Sequence, residues 1–386
     1  MSTYNFNYLY EKDFKKQLIS ALSKPAEQFD KVSTYEVENA TILPSKPNTD
    51  PSVVAPWGMG GVLDQEKQFV DASGVVRAFG GKYDFSDEEV EELDEEVIHI
   101  NIIPRHWGHF LVDVVCRLWY IIEQVHDERK ITYCGWKLDE DGIGGNYLAF
   151  FEKLGISRER LIYVKRPLHV RKVIIPDRTF EYSGRYHQKY FDTIQLLVDN
   201  IISEDNDESE NYSELVYLTR TQLKKSKYYD TGEKEIEEAF RNNGYKIVAT
   251  EKMTLEQQVK MFQHAKVVAS LSGTLPHNII FTAKNTEFII LKRACAVLPP
   301  QVGFNNLFDR QITYIDAYNP LVIKDGASHG DGPFWVECNK NVTSFLRSRG
   351  YSYYEELSRK PTVWIRNWLM YNGLKITRKA YGMIRR

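Results

Sequence analysis

The sequence lacks the signatures of several common protein classes. Its four cysteines stand far apart and show neither the Cys-x-x-Cys spacing of metal and redox sites nor the density of a disulfide scaffold. No window offers about 18 consecutive apolar residues, and the first residues lack a basic stretch followed by an apolar one. We therefore expect neither a membrane-spanning helix nor a standard export signal. A Walker motif and a compact metal-ligand spacing of histidines are also missing.

An excess of basic residues is missing too. The chain has 50 Lys and Arg against 53 Asp and Glu, a formal net charge of -3. Proteins that bind nucleic acid generally carry a basic excess, so we expect no nucleic-acid partner. Dispersed cysteines suit a reducing compartment. The predicted location is the cytoplasm, either free or at the inner face of the cell membrane.

The hydrophobic pattern indicates more than one α/β domain. A chain of 386 residues, 42% of them hydrophobic, is long enough for two or three domains. Strand and helix signals alternate from residue 97 to residue 202 and again from residue 214 to residue 315. Such alternation predicts two α/β domains, each with a parallel sheet flanked by helices. The polar, acidic stretch 203–211 between them is typical of a linker.

These patterns divide the chain into four predicted segments. Residues 1–96 form an irregular, β-containing extension of the first domain. Residues 97–210 form the amino-terminal α/β domain, and residues 211–335 form the carboxyl-terminal one. Residues 336–386 form a helical, basic tail. The acidic run 86–96 is predicted to be a solvent-exposed loop or a capped helical turn.

The tail has an unusual composition. After Glu356 it contains no acidic residue, and its basic side chains are mixed with tryptophans, tyrosines and aliphatic residues. This pattern suits a helix that lies on an anionic membrane surface. It equally suits a helix that packs back on the first domain with its charges in solvent.

The first cluster of polar residues lies in the predicted helix 107–125. His109, Asp113 and Arg117 follow one another at intervals of four, so they share one face of an otherwise apolar helix. One interpretation is a structural ion pair between Asp113 and Arg117, with His109 as a neighbour. The other is a functional site, because Arg105 and His106 crowd the same helix amino terminus, where the helix dipole favours anions.

A second cluster follows two strands of the carboxyl-terminal domain. Arg220 comes just after the predicted strand 214–218, at the carboxyl end where open sheets bind ligands, and a guanidinium binds phosphate oxygens in pairs. The turn Ser272-Gly273-Thr274 follows the predicted strand 267–270. Its glycine permits close approach of a ligand, and its hydroxyls and backbone amides are hydrogen-bond donors. The two segments together predict an anion-binding site.

The order of these motifs resembles glycosyltransferase family 61. That family includes capsule and lipopolysaccharide transferases of bacteria and xylosyl- or N-acetylglucosaminyltransferases of eukaryotes. The resemblance covers about residues 35–291 and is carried by the Gly-His-Phe-Leu-acidic helix at 108–113, by Thr219-Arg220, by the block 251–258 and by the Gly turn. Where the family commonly has Gly-x-His-Gly-Ala, this chain has Ser272 at the histidine position. The role of that histidine has then either moved to His277 or been lost.

The resemblance implies a GT-B arrangement of two Rossmann-like domains. The carboxyl-terminal domain of such a protein holds the nucleotide-sugar donor, here expected to be a UDP-sugar, and the amino-terminal domain holds the acceptor. Transfer would be inverting and would need no metal or other cofactor. The acceptor would be a growing surface glycan, or a lipid-linked glycan, of the capsular polysaccharide or lipopolysaccharide type.

Inverting transfer needs a base for the acceptor hydroxyl and positive groups for the departing phosphate. We expect Asp113 to be the base, with His109 as the second choice. Glu251 is a candidate for the ribose hydroxyls, with an exposed loop acid as the alternative. The candidates for the donor phosphates are Arg220, Ser272, Gly273, Thr274, His277 and Asn278. The auxiliary or acceptor-side candidates are Arg105, His106 and Arg117.

Other function classes stay open. Asp139-Glu140-Asp141 matches the carboxylate pattern with which metal-dependent transferases hold a divalent cation on a diphosphate, although acidic loops produce such matches readily. A phosphosugar transferase is a related alternative. A glycan-binding module without catalytic activity is the third.

Overall fold

A computed structural model describes residues 2–10, 13–23, 27–49, 52, 54–124, 126–204, 212–223, 230–295, 297–324, 332–352 and 360–384. The described chain has an α/β fold and divides into two compact units. The central unit is Glu27–Glu204, and the terminal unit combines Met1–Ala26 with Asp205–Arg386.

The described strands and helices are numbered in chain order. The strands are β1 (Thr3–Tyr8), β2 (Thr34–Lys46), β3 (Met59–Leu63), β4 (Glu91–Pro104), β5 (Lys130–Trp136), β6 (Leu161–Tyr163), β7 (Leu168–Pro176), β8 (Leu215–Leu218), β9 (Asp230–Thr231), β10 (Lys246–Val248), β11 (Val267–Leu271), β12 (Glu287–Lys292), β13 (Gln311–Asp316) and β14 (Phe334–Trp335). The helices are α1 (Asp13–Ser23), α2 (Trp107–His109), α3 (Trp119–Glu123), α4 (Asn146–Lys153), α5 (Gln188–Ser203), α6 (Glu233–Arg241), α7 (Leu255–His264), α8 (Pro299–Phe308), α9 (Leu321–Lys324), α10 (Lys340–Ser348) and α11 (Pro361–Ile384).

The terminal unit is built on a parallel sheet with the order β1-β13-β12-β11-β8-β10. From β8 the chain moves to one side, to β10, and then returns to the other side through β11, β12 and β13. The order therefore reverses between β8 and β11, and the crevice at the carboxyl ends of those strands is where open α/β sheets bind ligands. Apolar residues of α6 and α10, including Phe240 and Phe345, pack with the sheet in one core.

The first strand of the chain belongs to this sheet. Thr3 in β1 pairs with Gln311 in β13, and the rings of Phe6 and Tyr314 stack with their centroids 6.4 Å apart. The structure thus differs from the prediction that all of residues 1–96 extend the first domain. Pairing between strands at opposite ends of a sequence leaves no local signal, whereas the pairing satisfies the edge of β13.

The central unit contains a mixed sheet with the order β3-β2-β7-β4-β5-β6. Strands β7, β4, β5 and β6 are parallel, and β2 runs antiparallel to both β7 and β3. The parallel sheet predicted from residues 97–202 is confirmed by β4, β5, β6 and β7, and the predicted β-containing extension adds β2 and β3 to its edge in antiparallel orientation. Here the strand order reverses between β4 and β7, because β5 and β6 lie on one side of β4 and the later β7 on the other.

The acidic run 86–96 is mostly strand, which corrects its prediction as a loop or helical turn. Only its start is a capped turn, in which the Ser86 hydroxyl accepts from the amide of Glu88. From Glu91 onward the backbone pairs with β7, starting opposite Leu168. The acidic side chains on this half of β4 stay largely in solvent, so backbone pairing with β7 prevails over charge in setting the conformation.

The predicted capping box of α7 is confirmed. The Thr254 hydroxyl accepts from the amide of Gln257 at 3.2 Å, and the Gln257 side chain accepts from the amide of Thr254 at 3.2 Å. Both bonds satisfy donors that a helix amino terminus otherwise leaves unpaired.

The tail forms the long helix α11. Its residues Trp364 and Tyr371 lie against Trp335 of β14, with ring centroids 5.6 and 5.8 Å apart. Asn367 and Tyr371 are buried. Among the described helices, α11 included, none is both long enough and apolar enough to span a bilayer.

Candidate functional site

The segment after β4, predicted as one helix over 107–125, is irregular. A single α turn is followed by a π-helical turn, Phe110–Val114, and then by a 3-10 turn, Val115–Arg117, before α3 begins. Every residue of the π turn is buried. Single π turns inside helices occur frequently at functional sites because they redirect side chains.

Asp113 lies in this π turn and joins two other side chains. Its Oδ2 lies 3.1 Å from Nδ1 of His109, and its Oδ1 accepts from Nη2 of Arg178 at 2.5 Å. Arg178 comes just after β7, so the switch point between β4 and β7 brings the three residues together. The Asp113 side chain is 3% exposed and that of His109 is 34% exposed.

These contacts fix the charge of Asp113. Burial raises its pKa, but the hydrogen bond with His109 and the positive charge of Arg178 outweigh burial and hold the pKa below its ordinary value. An ionised carboxylate only accepts hydrogen bonds, so Nδ1 of His109 carries the proton in this pair. Nε2 of a neutral His109 then has a free lone pair and can accept a proton.

Arg117 does not form an ion pair with Asp113, which corrects that structural interpretation. Its Nη2 donates to the carbonyl of Ala72 at 2.8 Å, and its Nη1 donates to the carbonyl of Pro176. Burial lowers the pKa of Arg117 to about 10. The π and 3-10 turns break the 3.6-residue period that would have kept Arg117 on the same face as Asp113. Arg117 thus ties backbone segments together.

Arg105 and His106 lie at the start of the same segment, and both are exposed. His106 accepts from the amide of His109 at 3.4 Å through Nδ1, which caps the first turn. Arg105 donates to Asp139 at 2.8 Å. Asp139, a member of the possible metal motif, is therefore paired with a cation. In the part of the chain that the structure describes, no three His, Cys, Asp or Glu side chains converge as metal ligands would.

An open pocket of about 680 Å³ lies beside His109. The ring of Trp57, which lines the pocket, meets the His109 ring edge-on with centroids 4.6 Å apart. Trp57 also lies 5.7 Å from Trp136, another lining residue. The candidate base thus adjoins an aromatic pocket of the size that small ligands occupy.

In the terminal unit, two arginines converge on the glycine turn. Arg220 follows β8, Gly273 follows β11 and Arg293 follows β12, so the carboxyl ends of three neighbouring strands meet here. A Cβ added at Gly273 would lie 2.7 Å from Nη2 of Arg293 and 3.6 Å from Nη1 of Arg220. Gly273 also has a φ of +133°, which side-chain-bearing residues rarely adopt. A side chain at this position would therefore crowd the Arg293 guanidinium, whereas Arg220 would stay in ordinary contact.

Asp230 in β9 holds both arginines. Its Oδ2 accepts from Nε of Arg220 at 2.9 Å, and its Oδ1 accepts from Nη1 of Arg293 at 2.8 Å. Burial raises the pKa of Asp230, but the charges of Arg293 and Arg220 lower it by more than burial raises it. The pKa of Asp230 therefore lies below its ordinary value. One carboxylate thus serves two guanidinium groups and leaves an excess of positive charge.

Glu233, the first residue of α6, adds no charge that would cancel this excess near neutral pH. Its Oε1 accepts from the amide of Arg220 at 3.0 Å and from the hydroxyl of Tyr217 at 3.3 Å. Burial raises the pKa of Glu233 to about 8. At pH 7 the carboxyl is therefore mainly protonated, and the cluster of Arg220, Arg293 and Asp230 keeps a net positive charge suited to an anion.

Ser272 fixes the turn between two strands. Its amide donates to the carbonyl of Leu291 at 2.7 Å, and its hydroxyl accepts from the amide of Arg293 at 3.0 Å. Thr274 is partly exposed beside it, and its carbonyl accepts from the amide of His277 at 3.0 Å. The serine at the family's histidine position therefore orients the arginine-bearing loop.

His277 and Asn278 are buried in the 3-10 helix Leu275–Phe281. His277 Nδ1 lies 2.8 Å from Oε1 of Gln301, and its ring packs edge-on against Phe304 at 5.2 Å. These contacts place the imidazole in the packing between the turn and α8. Glu251 lies in an exposed 3-10 turn of the same unit, Thr250–Lys252.

Two cavities adjoin the arginine cluster. The narrow one, beside Ser272, Gly273 and Arg293, has a volume of about 20 Å³, which holds about one water. The larger one, about 480 Å³, is bounded by Asp230 and by residues of α6 and α11. Several buried oxygen atoms of its lining residues have no hydrogen-bond partner in the described structure, namely Thr231 Oγ1, Glu233 Oε2 and Glu235 Oε2.

Three residues of these clusters, Arg178, Arg293 and Asp230, were not predicted from the sequence. Arg178 and Arg293 stand just after β7 and β12, as Arg220 stands after β8, so their positions at strand ends would have identified both. Asp230 lies in a two-residue strand that has no pattern of its own.

Comparison with known families accords with this geometry. The sequence model of the family described as Glycosyltransferase 61 matches residues 107–289. This match supports membership in glycosyltransferase family 61. The match begins just before His109 and contains Asp113, Arg178 and Asp230, while Arg293 follows it closely. A search of curated proteins found no match to the chain. Membership in family 61 implies a glycosyltransferase with a sugar donor and a glycan acceptor.

Proposed function

We propose that this family 61 protein is an inverting, metal-independent transferase that moves a sugar from a nucleoside-diphosphate donor, of the UDP type, to a growing surface glycan. The observation that supports this most directly is the pair Arg220 and Arg293 at the strand-order reversal of the terminal sheet. Guanidinium groups there would bind the donor diphosphate and receive the charge that develops on it. Two fixed cations supply the electrostatic role that a metal ion has in other transferases.

In the proposed reaction, His109 is the base. Nε2 takes the proton from an acceptor hydroxyl while that oxygen bonds to the anomeric carbon of the donor sugar, and the bond from that carbon to the diphosphate breaks. The electron pair leaves with the diphosphate, whose charge Arg220 and Arg293 stabilise. Asp113 holds the imidazole through Nδ1 and stabilises its protonated form, as the acid of a catalytic triad does.

This assignment reverses the order of the two candidate bases. Asp113 is buried and already engaged by His109 and Arg178, and its pKa lies below the ordinary value. A weak base without a free approach is a poor proton acceptor. His109 is more exposed, so a substrate hydroxyl can reach it, and its ring contacts Trp57 of the open pocket.

We further propose that the two units are the domains of a GT-B-like enzyme. The terminal unit, with its arginine cluster, would bind the donor, and the central unit, with His109, would bind the acceptor. The larger cavity beside Asp230 supports this assignment. Its lining contains hydroxyl and carboxyl side chains, which suit the hydroxyl groups of a nucleotide sugar, and this makes Glu235 a further candidate beside Glu251 for hydroxyl binding.

The location of the enzyme follows from α11 in this proposal. Ile365, Trp368, Leu369 and Ile376 are exposed on the helix and are 50, 41, 59 and 72% accessible. At 100° per residue these positions fall within one stripe, with Lys375 and Lys379 next to it. An exposed apolar stripe with basic neighbours suits the surface of an anionic membrane. The enzyme would then act at the inner face of the cell membrane on a lipid-linked glycan.

The deciding experiment is a thermal-shift screen of the purified protein against UDP, GDP, CDP, CMP and their common sugars, with and without a chelator, since ligands of the native state raise its melting temperature. We expect a shift with one nucleoside diphosphate that the chelator leaves intact and that Arg293→Gln abolishes. Arg349→Gln is the matched control, because Arg349 forms an ion pair with Glu287 in the same unit. A shift that needs a divalent ion would contradict metal independence. No shift with any nucleotide would favour a glycan-binding module.

A further inference from the structure

We propose that the open pocket of the central unit binds the acceptor and selects a saccharide that carries a negative group, a carboxylate or a phosphate. The inference rests on the proposed function, and it adds the chemical class of the acceptor. The position of the pocket is the first support. Trp57 lines the pocket, and its ring centroid lies 4.6 Å from that of His109, so a molecule bound against Trp57 lies near the proposed base.

The aromatic wall is the second support. Trp57 and Trp136 line the pocket and lie 5.7 Å apart. Indole groups combine a large apolar surface with a polar N–H, which suits the mixed surface of a sugar ring. The pocket volume of about 680 Å³ is in the range of small-ligand sites, about 300–1,000 Å³.

The charge of the lining is the third support. Lys137 is the only charged residue among the described residues that line the pocket. Its Nζ lies 4.1 Å from the centre of the Trp136 ring. Asp139, two residues on, is paired with Arg105, and among the described residues Lys137 has no ion-pair partner. The ammonium group is therefore available to an anionic ligand.

The backbone fixes this lysine at the rim. Lys137 follows β5 directly and has a φ of +59°, a conformation that is uncommon for a residue with a side chain. Trp57 is also held in place, because its carbonyl accepts from the Ser45 hydroxyl at 2.6 Å. A Cβ at Gly58 would lie 2.4 Å from the carbonyl oxygen of Lys46, so the pocket wall is packed tightly at that point. The site is therefore built before a ligand arrives.

The test compares saccharides that differ in one group. Binding of cellobiose, cellobiouronic acid and 6-phosphocellobiose to the full chain is measured by titration calorimetry or by tryptophan fluorescence, with inorganic phosphate as a control for simple ion pairing. We expect at least one charged disaccharide to bind about tenfold or more tightly than cellobiose. The carboxylate and phosphate probes show which anion the pocket prefers. Equal affinity for all three disaccharides, or no binding of any, would overturn the proposal.

Three variants assign the selectivity to Lys137. Lys137→Gln should reduce affinity for the charged probe to that for cellobiose, and Lys137→Arg should retain most of it. Lys165→Gln is the matched control, because Lys165 follows the next strand and lies 5.6 Å over the Tyr163 ring. Selectivity that survives in Lys137→Gln, or that Lys165→Gln loses equally, would contradict the assignment.

The same variants separate this inference from the proposed function. The nucleotide-induced thermal shift depends on the terminal unit and should be unchanged in Lys137→Gln. If nucleotides shift the melting temperature but charged disaccharides gain nothing over cellobiose, the acceptor inference alone fails. If charged disaccharides bind selectively but no nucleotide does, the pocket stands as a glycan site and the transferase proposal fails.

Discussion

Asp230 and Arg293 form a buried ion pair in which Oδ1 and Nη1 are 2.8 Å apart and the side chains are 3% and 8% exposed. The same carboxylate also pairs with Arg220, so without a ligand the protein itself supplies the anion for the arginine cluster. A diphosphate would have to share the two guanidinium groups with Asp230. This arrangement keeps both arginines oriented before the donor binds, which lowers the cost of ordering them.

Removing the Asp230 charge should lower the free energy of unfolding. An added anion should then restore part of that stability. Asp230→Asn leaves the buried Arg293 and the partly buried Arg220 without their counter-charge, and breaking a buried ion pair in this way costs about 3–5 kcal/mol. Urea unfolding should show this loss, and inorganic diphosphate should restore more stability to the variant than it adds to the unmodified protein.

Asp316→Asn is the control for Asp230→Asn. Asp316 forms a buried ion pair with Lys292 at 3.1 Å on the same sheet, whereas the ion pairs of Arg220 and Arg293 described above are with Asp230. This variant should also lose stability but should gain nothing from diphosphate. An equal gain in both variants would show that diphosphate acts elsewhere.

Gly273→Ala should abolish nucleotide binding at a modest cost in stability. The new Cβ would displace the Arg293 guanidinium from the turn. Gly244→Ala is the control, because Gly244 also has a positive φ, +86°, but the nearest atom to an added Cβ is 4.0 Å away. Both variants should lose about 1–2 kcal/mol in urea unfolding from the left-handed backbone. Only Gly273→Ala should lose the nucleotide-induced thermal shift, and a retained shift would argue against a donor site at this turn.

Glu233 should make the protein less stable as the pH rises. Its folded pKa of about 8 lies above the ordinary value of 4.5, so the folded state holds a proton that the unfolded state releases. Stability should therefore fall between about pH 5 and pH 8, by at most about 1.4 kcal/mol per pH unit from this group. Glu233→Gln keeps an oxygen that can accept from the Arg220 amide and should flatten that slope in urea unfolding. An unchanged slope would mean that Glu233 ionises normally.

Replacing His109 should abolish transfer without affecting donor binding. A general base contributes about 10²- to 10⁴-fold to the rate, so His109→Ala should lower kcat by that factor. Asp113→Asn should also lower kcat, because an amide cannot stabilise the imidazolium by charge. Initial rates of sugar transfer, measured across pH, test both variants. His169→Ala, which removes a histidine of β7 in the same unit, is the control, and a His109→Ala enzyme with normal kcat would exclude His109 as the base.

The exposed stripe of α11 should direct the protein to anionic membranes. In vesicle flotation we expect binding to phosphatidylglycerol vesicles, weak binding to phosphatidylcholine vesicles and a loss at high salt, since each basic residue near an anionic surface contributes about 1 kcal/mol. Ile365→Ser with Leu369→Ser should abolish flotation. Val76→Ser changes an 88% exposed apolar side chain in the central unit and should have no effect. Normal flotation of the double variant would contradict membrane docking through α11.

The sequence predicted individual strands well because each buried strand is a short apolar run. The strand predicted at 267–270, for example, is Val267–Leu271 in the structure. Prediction from the sequence failed where a strand forms only by pairing with a segment distant in the chain. The acidic half of β4 is a strand only because β7 lies beside it, and β1 has its partner at the other end of the sequence.

In the candidate sites too, contacts between residues near in sequence could be predicted, and contacts that depend on distant segments could not. His109 and Asp113 were predicted to be neighbours from their spacing, and they are in contact. The π turn that redirects Arg117 has no simple sequence signature. Of the three residues predicted to share one helix face, His109 and Asp113 are therefore in contact and Arg117 is not. Arg178 reaches Asp113 only because β4 and β7 are adjacent, which the order of strands along the chain does not reveal.

The place of β1 in the terminal sheet also has a consequence for how the protein is made. Thr3–Tyr8 is synthesised before its partner β13, which a ribosome adding about 5–20 residues per second completes roughly 15 to 60 s later. The central unit, Glu27–Glu204, emerges during that interval and can fold around its own sheet. Until β13 is complete, the aromatic strand β1 has unpaired backbone groups and is exposed to chaperones and to the same strand of neighbouring copies.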